Sequence, residues 1–261
     1  MAKKKTATRP VAAFDLDGSL VRKQLLVLLY EECFDLQIFR PVALKRFRKI
    51  SLEHRDRKVT FEVYDRQIIE LFVERIKKRR KDDLDFAAEQ VYEKNKDWLY
   101  VFSKTLLGTL KSTHQCITIT GAMNEVVSRL APYWGFEHWY ATELQVDASG
   151  CYTGKDKALP VADKRRALLE HIAKHGADLQ GSIGLGDTGS DIPMLETVEL
   201  PIAFNPNEVL GTEAEKRGWT IVIERKDRIY VLAGDAGKAF RSSDAESAVR
   251  YVLGLPRPQR G

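Results

Sequence analysis

Cysteine is scarce and scattered in this chain. Cys33, Cys116 and Cys151 are an odd number, widely spaced, with no Cys-x-x-Cys pair. That argues against a disulfide frame or a zinc site and for free thiols in a reducing compartment. No apolar run approaches the ~18 to 20 residues that span a bilayer, so no membrane partner is expected. The start, Met1-Ala2-Lys3-Lys4-Lys5, is basic, but the apolar run at 11–14 is too short for a signal segment. A cytoplasmic location is the expectation. Internal repeats and low-complexity tracts are also missing. Between Val21 and Lys111 glycine is absent until Gly108 and proline occurs once, at Pro41. That stretch is nearly without turn material, and long polar-apolar alternation of helical period fills it.

What is present fits a globular enzyme-sized chain. At 261 residues, one large domain or two modest ones fit, and a hydrophobic share of 44% is ample for a core. The net charge of +5 and pI near 9.0 allow either a nucleic-acid partner or a preference for anionic substrates. The excess is local: residues 20–111 hold 21 Lys and Arg against 15 Asp and Glu. Its densest run, Lys77-Lys78-Arg79-Arg80-Lys81, is followed at once by Asp82-Asp83. It reads as a solvated helix end, so nucleic acid is disfavoured as a partner.

The chain is organised around Phe14-Asp15-Leu16-Asp17-Gly18-Ser19-Leu20. A short apolar run of buried-strand type, Pro10–Ala13, precedes it, and Gly18 breaks the pattern. Asp15 and Asp17 therefore sit where a strand ends, the place where open α/β sheets bind ligands. Two anions this close repel unless a cation or a shared proton offsets them. Magnesium (Mg2+), which takes hard oxygen ligands, is the simplest resolution. An aspartate beside such an ion can attack phosphorus. Taken alone, the same stretch is also compatible with a simple Asp-Gly turn.

Three later stretches add to it: Ile117-Thr118-Ile119-Thr120-Gly121; Asp163-Lys164-Arg165 opening a helix; and Gly184-Leu185-Gly186-Asp187-Thr188-Gly189-Ser190-Asp191. In this order the four stretches resemble the motif set of the haloacid dehalogenase-like hydrolase superfamily, over about residues 11–220. The hairpin-like segment 145–154 resembles its phosphoserine phosphatase-type branch, subfamily IB. The resemblance implies an α/β fold with a Rossmann-like parallel sheet flanked by helices. It implies a catalytic core of residues 1–20 and 112–261 and an inserted all-helical C1-type cap over 21–111. It also implies roles. Asp15 is the nucleophile and a magnesium ligand. Asp17 is the general acid/base, its backbone carbonyl a further ligand, and Asp187 supplies a second carboxylate. Asp191 acts one step out from the metal, and Thr120, Gly121 and Lys164 hold the phosphate. The expected function is magnesium-dependent hydrolysis of a small phosphorylated metabolite through an aspartyl-phosphate. Alternatives are a phosphotransferase or phosphomutase on the same core, or a non-catalytic module binding nucleic acid or a partner.

Two departures from that branch stand out. Phosphoserine phosphatases typically carry a Glu after the first motif that pairs with the substrate amine, whereas this chain reads Arg22-Lys23-Gln24. Phosphoserine is therefore disfavoured. Ser190 also stands where Asn is common. Arg22, Lys23, Arg46, Arg48, Arg55 and Arg57 are candidates for holding a second anionic group of the substrate. Helices are expected around Leu25–Cys33, from Pro41, from Thr60, and from Asp83 or Asp85 through Phe102. Two β-rich runs, Thr220–Ile223 and Ile229–Leu232, suggest an edge extension, and Ser243-Asp244-Ala245-Glu246 reads as a capping box. Nothing in the pattern speaks to oligomeric state.

Overall fold

The structure, a computed structural model, describes residues 8–232 and 239–256. The chain opens with β1 (Pro10–Phe14) and then runs through five helices: α1 (Leu25–Asp35), α2 (Pro41–Arg55), α3 (Phe61–Ile76), α4 (Lys81–Asn95) and α5 (Val101–Leu110). It continues with β2 (Gln115–Met123), α6 (Asn124–Trp134), β3 (His138–Val146), β4 (Tyr152–Ala158), α7 (Lys164–His175), β5 (Asp178–Gly186), α8 (Ile192–Leu195), β6 (Leu200–Phe204) and α9 (Glu208–Arg217). It ends with β7 (Thr220–Arg225), β8 (Arg228–Leu232), β9 (Ala239–Ser242) and α10 (Ala245–Val252).

The strands form one sheet in the order β4-β3-β2-β1-β5-β6-β7-β8-β9. Pairings from β3 through β7 are parallel, while β4 and the β8–β9 edge run antiparallel. β1 lies between β2 and β5, with Ala13 opposite both Ile117 and Gly184. The chain builds outward from β1 first to one side and then to the other, which leaves a crevice at the strands' C-terminal ends. Side chains of β1 alternate between the faces. Ala12 and Phe14 join the core under α5, α6, α10 and the inserted helices, whereas Val11 and Ala13 pack with α7, α8 and α9.

The expected helical insertion is present, with one correction. The stretch predicted as one helix from Asp83 to Phe102 is two, α4 and α5. Between them Leu99 pairs with Val21 in an isolated antiparallel bridge, and that backbone pairing displaces the helical one. The chain thus leaves the sheet after Val21 and returns beside it. The run Lys77–Lys81 is also not a plain solvated helix end. It is the turn between α3 and α4, and it borders the β3–β4 hairpin: Lys78 N–H donates to Tyr152 O and Tyr152 N–H to Arg79 O, both at 2.9 Å. α4 lies on α6, where Arg129 Nε reaches Glu89 at 2.7 Å and Trp134 Nε1 donates to Lys96 O at 2.7 Å.

The segment after residue 220 extends the sheet as expected, with β9 a further strand. The cap of α10 is Asp244, not Ser243; its carboxylate accepts from Glu246 and Ser247 N–H. α10 packs against α5, and Phe102 of α5 stacks on Phe204 at 5.8 Å.

Candidate active site

The loop after β1 brings the first two carboxylates into place. Asp15 is buried at the strand's end, its N–H bonded to Leu185 O at 2.9 Å. The chain then turns tightly, with Gly18 at φ +79°. A Cβ at Gly18 would stand 2.0 Å from Asp187 Oδ2, so only glycine permits this approach of the first loop to the loop after β5. Ser19 Oγ donates to Asp187 Oδ1 at 3.1 Å and ties the two loops together. Asp17 Oδ1 accepts from Leu25 N–H at 2.8 Å, at the positive N-terminus of α1.

Lys164 is fully buried at the start of α7, which Asp163 caps through Arg166 N–H. Its Nζ lies 2.6 Å from Asp15 Oδ1 and 2.6 Å from Asp191 Oδ1. The other oxygen of Asp191 accepts from Asp187 and Thr188 N–H, each at 3.0 Å. Asp191 therefore fixes both the Asp187 loop and the lysine. Thr120 is buried, its hydroxyl accepting from Ala122 N–H at 3.1 Å. Thr142 Oγ1 holds Gly121 O at 2.8 Å. Thr120, Gly121, Lys164, Asp15, Asp17 and Asp187 all line one cavity of about 80 Å3 beneath α1 and α3.

Charge is unbalanced there. Burial pushes the Asp15 carboxyl up to about 6 despite Lys164 beside it. Burial likewise raises Asp17, to about 8. Asp187 is raised well above the usual range by burial and then by the fields of Asp15 and Asp191. Burial would lower Lys164, but Asp15 and Asp191 outweigh it and the ammonium is held on. Carboxylate oxygens of Asp15, Asp187 and Asp191 lie within 4.8 Å of one another. One ammonium among these carboxylates leaves an excess of negative charge. An all-oxygen donor set of this kind fits a hard divalent cation.

The structure thus brings together Asp15, Asp17, Thr120, Gly121, Lys164, Asp187 and Asp191, with differences in detail, but not the cations singled out in the helical stretch. The carboxylate of Asp17 stands apart from the three-carboxylate cluster and faces α1. The cations proposed to hold a second anionic group do not line the cavity. Arg22 pairs with Glu224 at 2.6 Å, Arg46 with Glu74, and Arg55 with Asp56. Lys23 lies over the Trp98 ring, and Arg48 and Arg57 are likewise outside the lining. Charge counting along a helix registers surplus sign but not which acid each cation meets. Among the lining residues that were missed are Gln24 and Asp65. Asp65 had a signal: it falls at helical spacing with Phe61, Ile68 and Ile69, a charge on an otherwise apolar stripe.

Among relatives, a protein of Streptomyces azureus described as an inhibition of morphological differentiation protein is 36% identical over 107 residues, 41% of this chain and 38% of the relative. A probable phosphatase of Mycobacterium tuberculosis is 30% identical over 148 residues, 52% of this chain and 51% of the relative. The chain thus spans about half or less of the length of these curated relatives. A solved phosphoserine phosphatase, as a phospho-aspartyl intermediate analogue, shares the fold with a TM-score of 0.58 at 21% identity, over 84% of this chain and 95% of that one. The haloacid dehalogenase-like hydrolase family model matches residues 12–196, from within β1 through the inserted helices and all four motif stretches. On that match, and with the fold it requires in place, this chain belongs to the haloacid dehalogenase-like hydrolases.

Proposed function

We propose that this chain is a magnesium-dependent phosphatase that hydrolyses a small phosphomonoester through an aspartyl-phosphate on Asp15. The observation that carries the reading is the convergence of Asp15, Asp187, Asp191 and Lys164, with Asp17 lining the same cavity. A non-catalytic binding module has no use for buried, crowded carboxylates. The cap's cations give it little support, since several are paired with acids.

Asp15 attacks phosphorus, held in line by its strand-end backbone. Lys164 keeps Asp15 ionised and offsets charge on the phosphoryl oxygens. The Thr120 hydroxyl and Gly121 N–H hold those oxygens. Asp17, raised to about 8 by burial, is protonated at neutral pH and gives its proton to the departing alkoxide. It then takes a proton from the water that cleaves the aspartyl-phosphate. Asp15, Asp187 and the Asp17 carbonyl would hold magnesium, which would neutralise charge on the phosphoryl group. Asp191 orients the Asp187 loop and Lys164.

In this reading residues 21–111 are the cap, with α5 the strut returning to the sheet, and residues 1–20 and 112–261 are the core. No described helix is long and apolar enough to cross a membrane. The buried free thiols of Cys33 and Cys116 suit a cytoplasmic location.

The test is hydrolysis of p-nitrophenyl phosphate with magnesium. Asp15→Asn is expected to lower kcat by about a thousandfold or more, as loss of a nucleophile does, and chelation by EDTA to do the same. Full activity in either case rejects the mechanism. Phosphate release measured against transfer to an added alcohol separates hydrolysis from phosphotransfer.

A further inference from the structure

The cavity has two chemically distinct ends. One holds the proposed phosphate groups. The other is formed by the cap: Gln24 and Leu26 from the first cap segment, and Phe61, Asp65, Ile68 and Ile69 from α3. Four of these six are apolar. Asp65 is half-buried among them, and its carboxylate has one hydrogen-bond partner, Gln24 Nε2 at 3.3 Å. No described Lys or Arg forms an ion pair with it. Lys164, the only described cation lining the cavity, is engaged by Asp15 and Asp191.

The surroundings carry the same sign. A second, more open hollow adjoins the first through Phe61, Asp65 and Ile69, and its lining adds Glu62 and Glu70 against Arg66. Inside the cavity a leaving group bearing a carboxylate would meet an acid and no described free cation, since Arg66 lines only the adjoining hollow. A neutral one would leave the Asp65 carboxylate desolvated with no counter-charge, only the Gln24 amide. An ammonium would satisfy it. Burial already pushes the Asp65 carboxyl up, a cost that an arriving cation relieves.

We propose that Asp65 is the specificity-determining residue of the cap, and that the substrate is a phosphomonoester of a small amino alcohol whose ammonium pairs with Asp65 and which carries no carboxylate. The inference rests on the phosphatase reading for turnover, but its binding half stands apart from it.

The experiment uses the full chain with magnesium and three probes of similar size. These are O-phosphoethanolamine, propyl phosphate, which lacks the charge, and O-phosphoserine, which adds a carboxylate. The expected result is a kcat/KM for phosphoethanolamine about tenfold or more above both others, the worth of one buried charged hydrogen bond. Asp65→Asn should abolish the preference over propyl phosphate, and Asp65→Glu should keep part of it. Equal kcat/KM for the first two probes overturns the proposal. So does an Asp65→Asn variant that slows all three alike, which would place Asp65 in the service of Asp17 instead. Calorimetric binding of the same probes supplies the second arm. Selective binding of phosphoethanolamine that Asp65→Asn removes, with no hydrolysis of any probe, sinks the phosphatase reading and leaves the pocket assignment standing. Binding without selectivity sinks the assignment.

Discussion

Lys164 is buried with its ammonium 2.6 Å from each of two carboxylates. A charge in that position is balanced by partners and not by water, so its removal leaves the partners uncompensated. Lys164→Met is expected to cost about 3 to 5 kcal/mol in urea unfolding without added metal. Magnesium should recover part of the loss, because a cation at the same carboxylates offsets the same charge. His171 makes the opposite case, a base kept neutral. It is buried, its Nδ1 lies 2.9 Å from Tyr140 Oη and its Nε2 3.3 Å from Gln115 Oε1. Burial first, then the neighbouring His175 and His138, hold it down to about 4. The unfolded chain binds a proton near 6.5 and the folded one only near 4, so stability falls as pH drops through that window. The loss should be about 3 kcal/mol between pH 7 and pH 4, and His171→Gln should remove most of it.

At the level of elements, the part of the chain with no assigned purpose in the sequence has a structural one. Glu224 of β7 accepts from Val101 N–H at 3.2 Å and Phe102 N–H at 2.8 Å, the unsatisfied first turn of α5. It also binds Arg22 at 2.6 Å, whose Nε reaches Leu99 O at 3.1 Å. One buried carboxylate thus grips both segments that join the inserted helices to the sheet. Glu224→Ala is expected to destabilise by about 2 to 4 kcal/mol, with Glu224→Gln milder because it keeps an acceptor. Chemical denaturation of the two variants measures the difference. These contacts were not legible in the sequence, since Arg22 and Glu224 meet only once the sheet has placed β7. The elements themselves were largely legible. Thr60 and Asp163 cap α3 and α7 as expected, and Gly135, Gly176 and Gly218 end α6, α7 and α9. The break between α4 and α5 was not, because residues 96–100 have no Gly or Pro and stop the helix through a pairing with Val21.

For the whole molecule, on the phosphatase reading, the phosphate end of the site could be read from sequence and the cap end could not. Asp15, Asp17, Thr120, Lys164 and Asp187 are each set by a strand end or helix start that short-range pattern reveals. The cap end depends on how α3 is laid over the sheet, a matter of long-range packing. If the carboxylate cluster takes magnesium, the folded protein alone binds it. At a hundredfold excess over Kd the metal should add about 2.7 kcal/mol, a rise in Tm of several degrees by calorimetry, absent in Asp187→Asn. The Val21–Leu99 bridge has a wider implication. A polypeptide excursion whose two feet stand side by side can be lengthened, trimmed or replaced without unpicking the strands it interrupts. On the phosphatase reading, bond breaking and substrate choice are then separately heritable: a transplanted set of helices between those two feet would redirect the same chemistry to a new alcohol.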